Sequence, residues 1–143
     1  MEILSNISLI LNPTTFGLIL GSTIVGVLIG ALPGLSSGMA IALLLPFTIY
    51  LEPSQAIAAM AALYCGGTFG GSITAILINA PGAPPAAATA FDGFPMAQKG
   101  QAGKALGMAA VSSVVGGIIS LAVLIIFAPT LARIAYKFGP PEY

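Results

Sequence analysis

The chain has 143 residues, of which 57% are hydrophobic and 6% charged, with four basic and four acidic side chains, no histidine and one cysteine. Soluble domains carry about 25% charged residues, so this composition excludes a water-soluble globular surface and points to a bilayer, where lipid covers an apolar exterior. The net charge of zero favours no nucleic-acid partner, and Cys65 without any histidine excludes a disulfide framework or a Cys/His metal site within the chain.

In chain order, Ile3, Ile7 and Ile10 share one helical face, so residues 1–12 are expected to form a short interfacial helix. The N-terminus lacks a basic n-region and a cleavage pattern, and the first span is expected to act as the targeting signal itself. Asn12-Pro13 reads as an N-cap with proline in the first turn. From there to Leu32 the chain is uncharged, and Thr14–Leu32 as helix covers roughly 28 Å, enough to cross the hydrocarbon core. Gly17 with Gly21, and Ser22 with Gly26 and Gly30, form small-xxx-small pairs that allow a neighbouring helix to approach closely. Glycine is also simply common in membrane helices.

The stretch Ala31-Leu-Pro-Gly-Leu-Ser-Ser-Gly38 breaks the helical pattern. Pro33 removes a donor, Gly34 and Gly38 permit unusual dihedrals, and Ser36 and Ser37 are cap residues. The run from Met39 to Leu51 is roughly 20 Å as helix, too short to cross alone, and Pro46 sits within it. After Glu52-Pro53-Ser54, the run from Gln55 to Phe69 ends in Cys65-Gly-Gly-Thr-Phe-Gly-Gly-Ser72, which predicts a second interruption. A third short run, Ile73–Ala80, stops at Pro81-Gly-Ala-Pro-Pro85, so residues 39–80 are expected to form broken helices. Residues 81–103 read as a connection, with Asp92-Gly93 as a turn and Lys99 and Lys104 as interfacial anchors. Residues 104–127 predict a second full span of roughly 35 Å, ended by Ala128-Pro129, and residues 130–138 an amphipathic interfacial helix. The expected fold is all-α: polytopic membrane helices with Gly/Pro-broken half-helices of the kind that re-enter a bilayer.

Irregular backbone at membrane depth survives only where protein, water or a ligand satisfies it. Discontinuous helices in secondary transporters use this, turning half-helix N-termini toward carboxylates and freed carbonyls toward sodium. Gly34, Ser36, Ser37 and Gly38 precede a helix start and are the candidate substrate-binding residues. Gly70, Gly71, Ser72 and Thr74, followed by Asn79, are the candidate ion-binding residues, through carbonyls, hydroxyls and a side-chain amide. The structural alternative is that these breaks are hinges or surface loops whose hydroxyls bond one turn back. The spans hold no basic residue to pair with an anion, so a bound carboxylate would rely on amides, hydroxyls and helix dipoles. No nucleophile–base pair can be assembled and the glycine clusters lack the Gly-Lys-Ser/Thr of a P-loop, so the chain is not expected to be an enzyme.

Three stretches carry a resemblance: GALPGLSSGMAIALLLPFT (30–48), YCGGTFGGSITAILINAPGAPPAAATAFDGFPMAQKGQAGKALG (64–107) and APTLARIAYKFGPPEY (128–143). Their combination of Pro-Gly-Leu, Gly-Gly-Ser-Ile-Thr, Asp-Gly-Phe-Pro-Met and Gly-Pro-Pro-Glu-Tyr resembles the large membrane subunit of the tripartite tricarboxylate transporter family. The resemblance implies a multi-pass permease of the bacterial inner membrane, working with a small membrane subunit and an extracytoplasmic solute-binding protein. It further implies secondary uptake of a carboxylate, with sodium or protons as coupling ion and no other cofactor. It places the Pro33-Gly34 and Gly70-Gly71-Ser72 segments on the substrate and ion pathway. The family's subunit is several times longer, so the chain is expected to be its N-terminal portion. The competing expectation is a non-transporting assembly subunit whose Gly-rich helices only pack against partners.

Overall fold

A computed structural model describes the backbone of residues 12–135 and the side chains of residues 12–132. The expected interfacial helix over residues 1–12 falls, apart from Asn12, outside the described residues. The chain divides into two units, 1–109 and 110–143. Every described element is helical: α1 (Pro13–Gly30), α2 (Ser37–Leu44) running into a 3-10 segment (Leu45–Tyr50), α3 (Pro53–Ile78), a 3-10 turn (Pro84–Ala86), α4 (Ala87–Gln98) and α5 (Ala102–Ala135). The fold is all-α, and α1, α3 and the part of α5 from Ala102 to Ala132 are long and apolar enough to cross a membrane.

α1 begins where the sequence places it. The Asn12 side chain accepts from the Thr14 amide at 3.3 Å and from the Thr14 hydroxyl at 3.0 Å, satisfying an otherwise orphaned helix-start donor. It ends at Gly30, and the chain turns through Ala31–Ser36 with Gly34 at φ 93°, a conformation that suits a residue without Cβ. The predicted first break is therefore present. α2 follows for only eight residues and tightens into the 3-10 segment at Leu45-Pro46. At 14 residues, Ser37–Tyr50 is an apolar helix too short to cross a bilayer alone.

The second interruption is not there. α3 is one 26-residue helix that passes through Gly66–Ser72 without a break. The expected freed carbonyls at this point are instead the ordinary acceptors of a continuous helix. Packing is the reason. Each glycine in a helix costs up to about 1 kcal/mol relative to alanine, and here each of Gly66, Gly67, Gly70 and Gly71 is buried against another segment. A Cβ at Gly66 would sit 2.5 Å from the Thr23 carbonyl oxygen, and one at Gly70 would overlap the Val27 carbonyl oxygen. Reciprocally, a Cβ at Gly26 would overlap the Leu63 carbonyl oxygen, and one at Gly30 that of Gly67. α1 and α3 thus meet backbone to backbone along Gly26 and Gly30, the predicted small-residue pair. Gly17 and Gly21 do not take part: a Cβ at either meets nothing within 4 Å, and they line an open groove of about 550 Å³ with Thr14, Ser22 and Val25.

A polar clamp ties the same two helices near their starts. The Gln55 side-chain amide donates to the buried Thr15 hydroxyl oxygen at 3.3 Å. Most of the remaining core is alanine (Ala40, Ala59, Ala75, Ala83, Ala86), with Leu63 and Ile76 as its large, fully buried side chains.

The expected connection 81–103 is largely helical, because Gly93 allows α4 to lie directly on Ile76 of α3; a Cβ there would be 2.7 Å from the Ile76 Cγ1. Asp92-Gly93 is accordingly inside a helix and not a turn. The turn comes later, at Gly100 with φ 76°. α5 also runs beyond its predicted stop, with Pro129 inside it and residues 130–135 continuing it; residues 136–138 lie outside the described residues. Proline cannot donate to the carbonyl one turn back, but helices in membranes tolerate it where the freed group is satisfied locally. In the second unit, every described side chain of α5 from Val111 to Ala132 is exposed.

Gly26→Ala is expected to lower stability by about 1–3 kcal/mol, because the added methyl meets backbone that no rotamer change can move aside. Gly103→Ala, which meets nothing within 4 Å, is expected to be neutral or to raise stability by up to about 1 kcal/mol. Thermal unfolding midpoints of the two variants in detergent check the contrast.

Candidate functional site

The broken segment, the glycine-rich middle of α3 and the Pro81–Ala83 turn converge on one place. On α3, Gly66 and Gly70 are one turn apart and face α1, while Gly67 and Gly71 form a second, adjacent lane. Gly67 faces the first residue of α2: a Cβ on it would lie 2.8 Å from the Ser37 Oγ and 3.1 Å from the Ser37 Cβ. Gly71 faces the turn, its Cβ position 2.7 Å from the Ala83 nitrogen. Gly82 closes the junction, with its amide donating to the Gly71 carbonyl at 3.4 Å and its Cβ position overlapping the Gly30 carbonyl oxygen.

The two serines at the start of α2 have different tasks. Ser36 is the N-cap; its Oγ accepts from the Met39 amide at 3.2 Å, and its carbonyl accepts from the Ala40 amide at 3.1 Å. Ser37 is 4% exposed, and its Oγ makes no hydrogen bond among the described residues. A buried hydroxyl without a partner costs on the order of 1–3 kcal/mol. It stands at the N-terminal end of α2, where the first amides have no carbonyl one turn behind them and the helix dipole favours negative charge. Gly34 and Gly38 are exposed on the turn and the first helical turn. Of the expected substrate residues, then, Gly34 shapes the turn, Ser36 caps the helix, and Ser37 alone places a free polar atom in the interior.

The expected ion residues are dispersed along α3. Gly70 and Gly71 are packing surfaces. The Ser72 hydroxyl donates to the Thr68 carbonyl at 3.5 Å and the Thr74 hydroxyl to the Gly71 carbonyl at 3.2 Å, which leaves the oxygen lone pairs of both as acceptors. Asn79 is the left-handed C-cap of α3 at φ 55°, exposed, about 12 Å further along the helix axis than Gly71. It borders a separate cavity of about 380 Å³ with Pro81, Phe91, Phe94 and Pro95.

Gly67, Gly82 and Ala83 were not singled out by the sequence reading, although they form the junction. The signal was present as i, i+4 glycine pairs at 66/70 and 67/71, which on a helix make a flat two-lane face.

Residues 16–143 match the tripartite tricarboxylate transporter TctA family. An uncharacterized 52.8 kDa protein in the TAR-I ttuC' 3' region of Agrobacterium vitis is 43% identical over 147 residues, a match that takes in 100% of this chain and 29% of that relative. The chain therefore spans less than a third of that relative's length. No solved structure matches it.

Opposite effects are expected from the two serines. Ser36→Ala removes a cap and lowers stability by about 1 kcal/mol. Ser37→Ala removes an orphaned hydroxyl and raises the stability of the ligand-free protein by on the order of 1 kcal/mol. Chemical denaturation of both variants in detergent reads the signs; a loss at Ser37 would mean that its hydroxyl has a partner within the protein.

Proposed function

This chain belongs to the tripartite tricarboxylate transporter TctA family, and on that premise we propose that it is the N-terminal part of a permease subunit that carries a tricarboxylate-type anion across the bacterial inner membrane. Transport is secondary and driven by an ion gradient, with sodium or protons as the coupling ion. A small membrane subunit completes the complex, and an extracytoplasmic solute-binding protein delivers the carboxylate.

The observation that carries this reading is the unpartnered Ser37 hydroxyl, buried at the start of a half-helix that follows a break between apolar helices. A carboxylate arriving there accepts from the hydroxyl and from the first amides of α2, with the helix dipole adding to the attraction. The turn at Gly34 and the Ser36 cap fix where that helix starts, and Gly38 keeps its exposed flank free of side-chain bulk. For the coupling ion, the lone pairs of Ser72 and Thr74 on α3 are oxygen ligands of the kind sodium takes, with Gly70 and Gly71 allowing close approach of neighbouring backbone. Asn79 would belong to a later station on the ion path.

A second reading is favoured by the packing of Gly66, Gly67, Gly70 and Gly71, all buried against neighbouring segments. In that reading the subunit only holds an assembly together. Ser37→Ala separates the two, because it disturbs no packing.

Uptake of labelled citrate by cells carrying the complete system is expected to stop when ionophores dissipate the ion gradient and to need the binding protein. Uptake that survives ionophores but fails on ATP depletion would contradict the proposal. Ser37→Ala is expected to raise KM about 10- to 100-fold, the equivalent of one hydrogen bond of about 1.5–3 kcal/mol to a charged group. Unchanged KM in that variant favours the assembly reading.

A further inference from the structure

Gly67 is held from two sides by different means. α1 touches its main chain: Cβ positions built at Gly26 and Gly30 lie 3.0 Å from the Gly67 nitrogen and 2.6 Å from the Gly67 Cα, respectively. The direction in which Gly67 itself would carry a side chain points elsewhere. The three nearest heavy atoms to its Cβ position all belong to Ser37: Oγ at 2.8 Å, Cβ at 3.1 Å and Cα at 3.4 Å. A methyl at position 67 therefore leaves the α1–α3 contact in place and meets the first residue of α2. The neighbouring glycines differ in this respect. A methyl on Gly66 meets the Thr23 backbone, one on Gly70 the Val27 and Ala31 backbone, and one on Gly71 the Gly82–Ala83 turn.

We propose that Gly67 is a positioning residue for substrate: its missing side chain is the notch that seats Ser37, and through Ser37 it sets where the hydroxyl and the first amides of α2 stand. This rests on the reading of Ser37 as a carboxylate contact. The independent observation is that the Ser37 Oγ is buried and unpartnered while lying against this notch, so the notch bounds a polar atom that no hydrogen bond within the described chain holds in place. In a site without a basic residue, recognition comes from several neutral donors acting together, and donors displaced by a few tenths of an ångström no longer converge on one carboxylate. Filling the notch moves the donors without removing any of them.

The test is a cycle of Gly67→Ala and Ser37→Gly in the full-length subunit within its complete transport system, with labelled citrate as the probe and KM, Vmax and the amount of assembled protein as readouts. Gly67→Ala is expected to raise KM at least 10-fold with assembled protein within 2-fold of wild type. In the Ser37→Gly background, where both Oγ and Cβ are gone, the same change is expected to alter KM by less than 3-fold. Gly66→Ala serves as the packing control: it is expected to reduce assembled protein, and Ser37→Gly is not expected to restore it. A Gly67→Ala effect of equal size in both backgrounds, or no KM effect at all, overturns the positioning role. Ser37→Gly alone leaving KM unchanged overturns instead the carboxylate reading of Ser37 on which it stands. Should Gly67→Ala fail to accumulate, recovery of accumulation in the double variant supports the notch, and failure of both overturns it.

Discussion

Within a bilayer, every main-chain amide and carbonyl must find its partner inside the protein, and this constraint organises the chain. It makes every described element helical, and it allows irregular backbone at membrane depth only where protein or water satisfies it. The glycine lanes of α3 bring main chain against main chain at Gly30, Gly67, Gly71 and Gly82, while the turn between α1 and α2 is itself exposed from Leu32 to Gly34. Lipid tails are as apolar as leucine, so burial of large side chains offers little net gain in this setting, and close backbone contact supplies dispersion energy instead. The core of glycine and alanine follows from that choice of solvent.

The same arrangement divides support from recognition. α3 is the uninterrupted element and α2 the interrupted one; the first holds the second in place. At the start of α2, the Ser36 cap satisfies the helix, and the adjacent Ser37 hydroxyl is left over. At the proposed site an anion would be met by neutral donors and a helix dipole, with no arginine or lysine in α1, α2 or α3, and so held without a permanent opposite charge. That suits a step in which a solute must be bound and then released, since a carrier site has to be favourable to enter and weak enough to leave.

The sequence was most legible where one residue has one structural consequence. Asn12-Pro13 marked a helix start, Pro33-Gly34 a break and Ser36 a cap, because each acts through its own backbone or its own side chain. Glycine was ambiguous for a physical reason. At Gly34 it supplies a left-handed dihedral, whereas at Gly66–Gly71 it supplies closeness, and only the partner helix distinguishes the two uses. Because the sequence shows no partner, the predicted interruption in α3 was misplaced, as was the turn at Asp92-Gly93, where Gly93 accommodates Ile76. Pro129 failed as a stop signal for a related reason: a proline ends a helix in water more reliably than in a membrane. The resemblance carried by the Pro-Gly-Leu and Gly-Gly-Ser-Ile-Thr motifs led to the family that residues 16–143 match, but the junction residues Gly67 and Gly82 became visible only once the helices were assembled.

The central claim is that carboxylate meets the protein at the first residue of α2. Cysteine protection addresses it most directly. In a Cys65→Ser background, which removes the exposed native thiol, Gly38→Cys, at the exposed residue next to Ser37, is labelled with a small membrane-impermeant thiol reagent in the assembled, energised transporter, with and without saturating citrate. The account predicts that citrate slows labelling at position 38 at least several-fold while a cysteine at the exposed position of Lys99 is labelled at the same rate in both conditions. Labelling at position 38 that is indifferent to citrate would contradict it.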